Sequence, residues 1–518
     1  LDGLPLALEL AAARLAHLSP AEVAARLDDR FRLLAGGRRR TERQQTLRAA
    51  IDWSYELLDE DERILLRRLS VFVGGAPLDA VEAVAMEGMR DALTIDLLGR
   101  LVTRSLVVAD SDGNETRYRL LETIRLYSEE KLLAAGEAEA IRNRHRDWYL
   151  EWLDRFPWDL RLISPQVGAA IQKEYDNLRL GLEWSAVQQR PDLLVRLICA
   201  LAGFGILNGF ADELDRWAEV AGAASLPSTL KAELDAHTAY LDTWRYDGDP
   251  DSFVPVRERA RAAYAALAED HPYRALAICC FGATHTVTHP KEPWRIGEPA
   301  EEAMALAERH DAPWMRVIAV GFLARARLYE GDPQGAADLI RETMAAPTWD
   351  TRHDGLFLRH DLAVALHLLG QQVEALEHAR SVATSSSAPW RHIGLLDAAI
   401  ITAAMGDPPH ARELIRRAVE RLDELHWHHP LAYADCATLL GAIASHEARW
   451  EDAARTLAAN GQQASHPSIY VLWVHYRDEV RQHLPRDVRR RCVEQGMAMG
   501  VDDAIEQELA RDRSLHAG

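Results

Sequence analysis

The sequence has no G-x-x-x-x-G-K-[ST] stretch, so the usual backbone cradle for nucleotide phosphates is missing from it. It also lacks a G-x-S-x-G elbow and an H-E-x-x-H pair, which removes the common signatures of serine hydrolases and zinc peptidases. Cysteine is sparse: Cys199, Cys279, Cys280, Cys436 and Cys492 form no C-x-x-C. An odd, scattered set of this kind is no disulfide framework and points to a reducing compartment, hence a cytoplasmic protein. No apolar run approaches the ~20 residues that a membrane helix needs, so no membrane partner is expected. Bases are outnumbered, 60 Lys and Arg against 80 Asp and Glu, for a net charge of −20. That balance argues against the bulk of the chain lying along nucleic acid. Strand-forming patterns are almost absent too.

What remains is long and helical. A chain of 518 residues is expected to hold more than one domain, and 48% hydrophobic residues suffice for buried cores. The charge is uneven: residues 1–50 carry nine bases and six acids, residues 51–150 thirteen and twenty. The basic lean of the first segment comes chiefly from Arg38, Arg39, Arg40, Arg43 and Arg48, either a solvated linker or a strip for a phosphate or partner. Pro5 suits the first turn of a helix running to about His17. Ser19, Pro20 and Glu22 then make a capping box, and Val23, Leu27 and Phe31 one apolar stripe, until Gly36-Gly37 ends the helix.

From residue 46 the character changes. "TLRAAIDWSYELL" reads as a helix, "DEDERILLRRLSVF" as a second with Asp59 as cap, "PLDAVEAVA" as a third from Pro77, and "IDLLGRLVTRS" as a fourth. "SLVV" and "TRYRLL" then flank "ADSDGNE", the one clear hairpin in the chain. A few short helices followed by a hairpin is the order of a winged helix, and a long helix, "ETIRLYSEEKLLAAG", leaves it.

Beyond about residue 145 the text is helix and short turn. "ARLYEGDPQGAADLI", "ALHLLGQQVEALEHA", "ITAAMGDPPHARELI" and "ASHEARWEDAARTL" share one shape, with turns at Gly331, Gly370, Gly406 and Ala448, spaced 39, 36 and 42 residues apart. Gly209 and Gly248 are 39 apart, and the 83 residues from 248 to 331 leave room for two units. Paired helices at this period indicate a tetratricopeptide-like solenoid, in which each pair buries its apolar face only by stacking on its neighbours. Trp217, Trp244, Trp314, Trp390 and Trp450 would fill the gaps between pairs or touch a ligand. The histidines of "HWHHP" (His426, His428, His429) and the i, i+4 pair His285 and His289 are metal-capable, but without carboxylate or thiol at ligand spacing they read equally as turn and surface residues.

One resemblance orders these pieces. "GLPLALELAAARL", "QQTLRAAIDWSYELLDEDERILLRRLSVFVGG", "LVTRSLVV", "YRLLETIRLYSEEKL", "EYDNLRLGLEWS" (174–185) and "CVEQGMAMGVDDAIEQELA" (492–510) together resemble one series. It is the C-terminal part of signal-transduction ATPases with numerous domains, the STAND or NB-ARC class. The closest likeness is to bacterial transcriptional regulators of the Streptomyces antibiotic regulatory protein type and to large LuxR-type regulators.

The resemblance implies a predominantly all-α chain in four parts. These are a helical subdomain over 1–45 that follows a P-loop ATPase core lying upstream, a winged-helix domain over 46–135, a helical connector over 136–165, and a tetratricopeptide-like α-solenoid over 166–518. It implies cofactor-binding roles for Gly3, Leu4 and Pro5, the proline packing on an adenine ring; read without it, Pro5 is a helix-start proline. ATP or ADP would then belong to the full-length protein, with no cofactor and no catalysis expected of this chain alone. The family's Met-His-Asp motif falls on Leu120, Leu121 and Glu122, where the phosphate-sensing histidine is replaced by an apolar residue expected to face the core of the wing. The implied function is the regulatory and sensor portion of an ATPase that controls transcription. Its winged helix would switch with nucleotide, a protein or small-molecule inducer would bind the solenoid, and DNA would be reached only through an effector domain outside this chain. Nucleotide-dependent oligomerisation fits the same scheme. A free-standing protein-interaction scaffold is the alternative, and the regulatory part of an adenylate-cyclase-like protein a third reading.

Overall fold

The computed structural model describes residues 48, 51–52, 54–89, 94–111, 115–243, 252–288, 296–346, 355–385, 388–424, 430–460 and 467–515. Gly3, Leu4 and Pro5, the helical subdomain over 1–45, the arginines at 38–43, Gly248, Trp244, His289 and the His426–His429 cluster lie outside the described residues. The chain forms two compact units, Leu1–Phe156 with Pro165–Leu197, and Pro157–Ser164 with Ile198–Gly518.

The first unit begins with α1 (Glu60–Arg68). Asp59 caps it by accepting from the Glu62 amide at 2.8 Å, while the Glu62 carboxylate accepts from the Asp59 amide at 3.0 Å, a complete capping box. A 3-10 turn (Leu69–Val71) leads to β1 (Ala76–Pro77), α2 (Leu78–Ala85), α3 (Thr94–Thr103), β2 (Val108–Ser111), β3 (Thr116–Arg119) and α4 (Glu122–Ala134). The sheet is antiparallel in the order β1-β3-β2, with Ala76 opposite Tyr118 and Val108 opposite Arg119. Leu65, Leu66, Ala80, Val81, Val84, Leu97, Leu98 and Leu101 form a closed core beneath it. This is the helix–strand–helix–helix–hairpin order of a winged helix. Pro77, expected to open a helix, instead pairs in β1 and caps α2, since a proline amide has no hydrogen to give a ladder and is tolerated at an edge. The unit is completed by α5 (Ala138–Asp154) and α6 (Pro165–Val187), which pack against each other, and by the start of α7 (Pro191–Asn208).

The second unit is a run of antiparallel helix pairs. After α7 come α8 (Ala211–Gly222), α9 (Ser228–Thr243), α10 (Phe253–Ala266), α11 (Pro272–Thr288), α12 (Gly297–Arg309), α13 (Pro313–Tyr329), α14 (Pro333–Ala345), α15 (Leu356–Leu368), α16 (Gln372–Ala383), α17 (Ala388–Ala404), α18 (Pro408–Glu424), α19 (Pro430–His446), α20 (Trp450–Ala459), α21 (Pro467–His483), α22 (Arg486–Ala498) and α23 (Val501–Leu515). The turn residues read from the spacing are where the chain reverses: Gly209, Gly331, Gly370 and Gly406 have φ between 75° and 91°, and Ala448 has φ 58°. A single apolar core runs from Val320 to Ile505, built largely of alanine and leucine, so neighbouring helices approach closely. Trp314 meets Phe357 edge-on at 6.0 Å and Trp450 stacks on His483 at 3.8 Å, each joining two helices. Pro157–Ser164 lies among these helices: Leu162 is buried, its carbonyl accepts from the Tyr240 hydroxyl at 3.1 Å, and the Asp159 carboxylate accepts from the Trp314 amide at 2.9 Å. Asp159 thereby supplies, from 155 residues away, the cap that Ala312 cannot give α13.

Candidate functional site

The winged helix offers two surfaces to weigh: the face on which such domains read DNA, and the seam by which its sheet meets α5 and α6.

On the first, α3 occupies the recognition-helix position and the β2–β3 hairpin the wing. The exposed residues of α3 are Ile95, Asp96, Gly99, Arg100 and Thr103. Between residues 94 and 119 the cations are Arg100, Arg104, Arg117 and Arg119, and all four are engaged. Arg100 donates to Glu62 at 2.9 Å and reaches Asp59 at 3.5 Å. Arg104 lies 3.6 Å from Glu62 and donates to the Leu57 carbonyl. Arg119 donates to Asp110 at 2.6 Å, and Arg117 is turned inward. With Asp96, Asp110 and Glu115 alongside, the described residues of this face leave no cation outside these contacts for a phosphate backbone.

On the second, Arg117 of β3 forms a two-pronged ion pair with Glu174 of α6 and donates to the Gly75 carbonyl at 3.0 Å. The Tyr149 hydroxyl of α5 donates to the same carboxylate at 2.7 Å. Asn177, one helical turn after Glu174, donates its amide hydrogens to the Gly75 carbonyl and to Glu174 at 3.0 and 3.2 Å. Its carbonyl oxygen accepts from the Val73 amide at 3.0 Å, and His145 Nε2 lies 3.3 Å from it. Tyr149, Glu174, Asn177 and His145 are buried and Arg117 is half-buried, so a lost partner would strand a polar group away from water at the first four. Burial holds the His145 imidazolium down to about 4, the Asn177 contact opposing only in part, so the ring is neutral near pH 7. Burial, and then the Glu174 charge, pushes the Tyr149 hydroxyl well up, which keeps it a donor.

The motif-bearing residues Leu120, Leu121 and Glu122 sit where β3 passes into α4. Leu120, not Leu121, faces the core: alternation from the buried Tyr118 turns Leu120 inward, and Leu121 is half-buried with an extended backbone at the start of α4. Glu122 is taken by Arg125 at 2.9 and 3.0 Å. Reading the sequence missed Glu174 and Asn177 as anchors, although both stand in the stretch "EYDNLRLGLEWS"; a buried-side Glu and Asn three apart on one helix face was the available signal. In the helical array, Arg325 donates to Asp361 at 2.9 Å, and His360 Nδ1 lies 2.7 Å from Asp397, all four buried. His285 is buried and stacks on Phe281. All five cysteines are buried free thiols. Among the described residues no helix is long and apolar enough to cross a membrane.

Comparison with known proteins finds the following likenesses, of which the family match bears on the winged helix. Residues 58–133 match the winged helix-turn-helix domain family. Proteins of Mycobacterium bovis and Mycobacterium tuberculosis named "Putative HTH-type transcriptional regulator" are 34% identical over 432 residues, covering 78% of this chain and 47% of theirs. An uncharacterized protein of M. tuberculosis is 46% identical over 149 residues, 28% of this chain and 38% of that one. Among solved structures, a signal-transduction ATPase with numerous domains and a tetratricopeptide repeat sensor, from Pyrococcus horikoshii, aligns over 95% of this chain and 75% of its own, with 13% identity and a TM-score of 0.49. The chain spans about half the length of the curated relatives it matches. The chain thus carries a winged helix-turn-helix domain followed by a tetratricopeptide-like helical array, and over most of its own length it is similar in sequence to proteins named as putative HTH-type transcriptional regulators.

Proposed function

We propose that this chain is the sensor and relay portion of a cytoplasmic transcriptional regulator in which the winged helix passes a signal rather than reading DNA. The observation that carries this reading is the commitment of Arg100, Arg104, Arg117 and Arg119 to carboxylates and carbonyls of their own domain. A DNA reader needs such groups free, because neutralising phosphates supplies most of its non-specific affinity. The helical array receives a protein or small-molecule inducer, and DNA is contacted by an effector domain of the whole protein. ATP or ADP is bound by a P-loop core of the whole protein, with Gly3, Leu4 and Pro5 against the base. The chain by itself hydrolyses no nucleotide, and replacement of the Met-His-Asp histidine by Leu121 removes one phosphate contact.

The test is fluorescence anisotropy of a labelled random-sequence duplex of about 30 base pairs at about 50 mM salt, where non-specific DNA binders bind more tightly than the roughly 10⁻⁶–10⁻⁴ M they show at physiological salt. No binding is expected up to about 100 µM chain. Binding that weakens steeply with salt and is lost in Arg100→Ala would overturn the relay reading. ADP is expected to bind the intact regulator and not this chain; calorimetric titration of both decides it.

A further inference from the structure

A cleft of about 300 Å³ opens in the first unit between α4, α5 and α6, beside the seam and sharing His145 with it. That is the lower end of the volumes that hold small ligands. Its walls are apolar: Val71, Leu132, Leu180 and the Trp184 ring. The indole is fixed in plane because its Nε1 donates to Asn143 at 2.9 Å and the Arg142 guanidinium lies over its face at 5.2 Å.

The polar groups on the floor are acceptors. Asn177 has both amide hydrogens committed, so the atom facing His145 is its carbonyl oxygen, and His145 must be protonated on Nε2. Nδ1 then carries a lone pair and no partner, on a ring that is 3% exposed and lines the cleft. Ser70, also on the floor, spends its one proton on the Arg67 carbonyl at 2.6 Å and turns only lone pairs to the cleft. The rim is charged but balanced: Arg125 is held by Glu122, Arg142 by Glu129 at 2.7 Å, and Glu183 stands beside them. A free anion meets no unspent cation there, and a phosphate would be repelled by the glutamates.

We propose that this cleft is a binding site for a small, uncharged, planar molecule that donates hydrogen bonds, an aromatic ring bearing a hydroxyl or amino group. Its ring lies along Trp184 and Leu180, and its donor meets His145 Nδ1.

Phenol and its methyl ether, anisole, are the probes, because they share a ring and differ in the donor. Ligand-observed NMR on the whole chain is expected to show phenol binding in the millimolar range, anisole at least about tenfold weaker, as one lost hydrogen bond to a buried acceptor predicts. Leu180→Trp, which fills the cleft without touching the seam, is expected to weaken phenol at least tenfold. Equal binding of phenol and anisole, no phenol binding at 10-fold above the millimolar range, or undiminished binding to Leu180→Trp would each overturn the site. A phenol soak of crystals of the unaltered chain decides the matter even if Leu180→Trp does not fold: the oxygen within hydrogen-bond distance of His145 Nδ1 supports the proposal, and phenol elsewhere or absent refutes it.

Discussion

In the winged-helix unit one carboxylate, Glu174, gathers a strand arginine, a tyrosine from a second helix and an asparagine from its own, with Arg117 57 residues away and Gly75 102 residues from Asn177. In the helical array the buried Arg325–Asp361 contact, which also takes in the Ser468 hydroxyl, and the adjoining His360–Asp397 contact span 36 and 37 residues. Those separations are one repeat. The array repeats a local contact between neighbouring pairs, so damage at one pair leaves distant pairs intact. The seam joins unlike elements through one hub, so its members stand or fall together.

Acid should separate the two units most widely. Burial holds His237, His367 and His392 in the array, and His145 in the winged-helix unit, down to about 4. An unfolded histidine takes its proton near 6.5, so as pH falls from 6.5 towards 4 the unfolded state binds protons that the folded one refuses, and stability is lost over that window. At pH 5 each such histidine costs on the order of 2 kcal/mol, and the array holds three of them against one in the winged-helix unit. His360 opposes this. Burial, the largest influence, pulls its pKa down, but the Asp397 charge, the Asp397 hydrogen bond and the Asp361 charge together outweigh it and raise the pKa, which favours the folded array below the usual histidine range and weakens it as pH rises through the raised value. Hydrogen exchange at pH 7 and pH 5 should show the array losing protection first; equal loss in both units would break the comparison.

Glu174→Ala attacks the hub. It leaves the half-buried Arg117 and the buried Tyr149 and Asn177 without their shared acceptor, and removing one member of a buried charged set costs about 3–5 kcal/mol. Exchange protection should fall across β3, α5 and α6 together and stay unchanged in α13–α20. A loss confined to α6 would show that Glu174 is not a hub.

The same contrast explains what could be read from the residues alone. Turn positions in the array were legible because the repeat makes Gly331, Gly370, Gly406 and Ala448 occupy equivalent places. Asp59 as a cap, and the hairpin around "ADSDGNE", were legible because their interactions close within a few residues. What escaped was set by contacts with no fixed spacing. β1 is two residues long and exists only because β3 runs beside it. Pro157–Ser164 looks like connector and sits instead among α7, α9 and α13, where Asp159 caps a helix far along the chain. Glu174 and Asn177 look like any polar helix residues until Arg117 and Gly75 meet them. The cleft was equally hidden, since its floor is a tautomer choice made by Asn177.

Gly394→Ala tests close packing inside the array. A Cβ there would fall 2.2 Å from the Ala383 backbone nitrogen, so α16 and α17 would have to move apart. Overpacking of this kind costs about 1–3 kcal/mol. Because contacts in the array run between neighbours, exchange should quicken in α15–α18 and not in α9–α11. A loss spread evenly along the array would mean that it unfolds as one piece.

Ala448→Gly should have the smallest effect, and of opposite sign. Three equivalent turns use glycine at φ 76–91°, whereas Ala448 holds φ 58°, in the left-handed region where a Cβ crowds the carbonyl that follows. Relieving that strain contributes about 1–2 kcal/mol, and the greater freedom of glycine in the unfolded chain takes back about 0.5–1. The net should be a stabilisation of about 0.5–1 kcal/mol, read as a small rise in the urea midpoint with the slope unchanged. The turn already closes with Arg449 donating its amide to the Ala444 carbonyl at 2.9 Å, so the substitution removes strain without adding a bond. A fall in the midpoint would mean that the Ala448 methyl group contributes packing that outweighs its backbone strain, and the fourth turn would then not be equivalent to the other three.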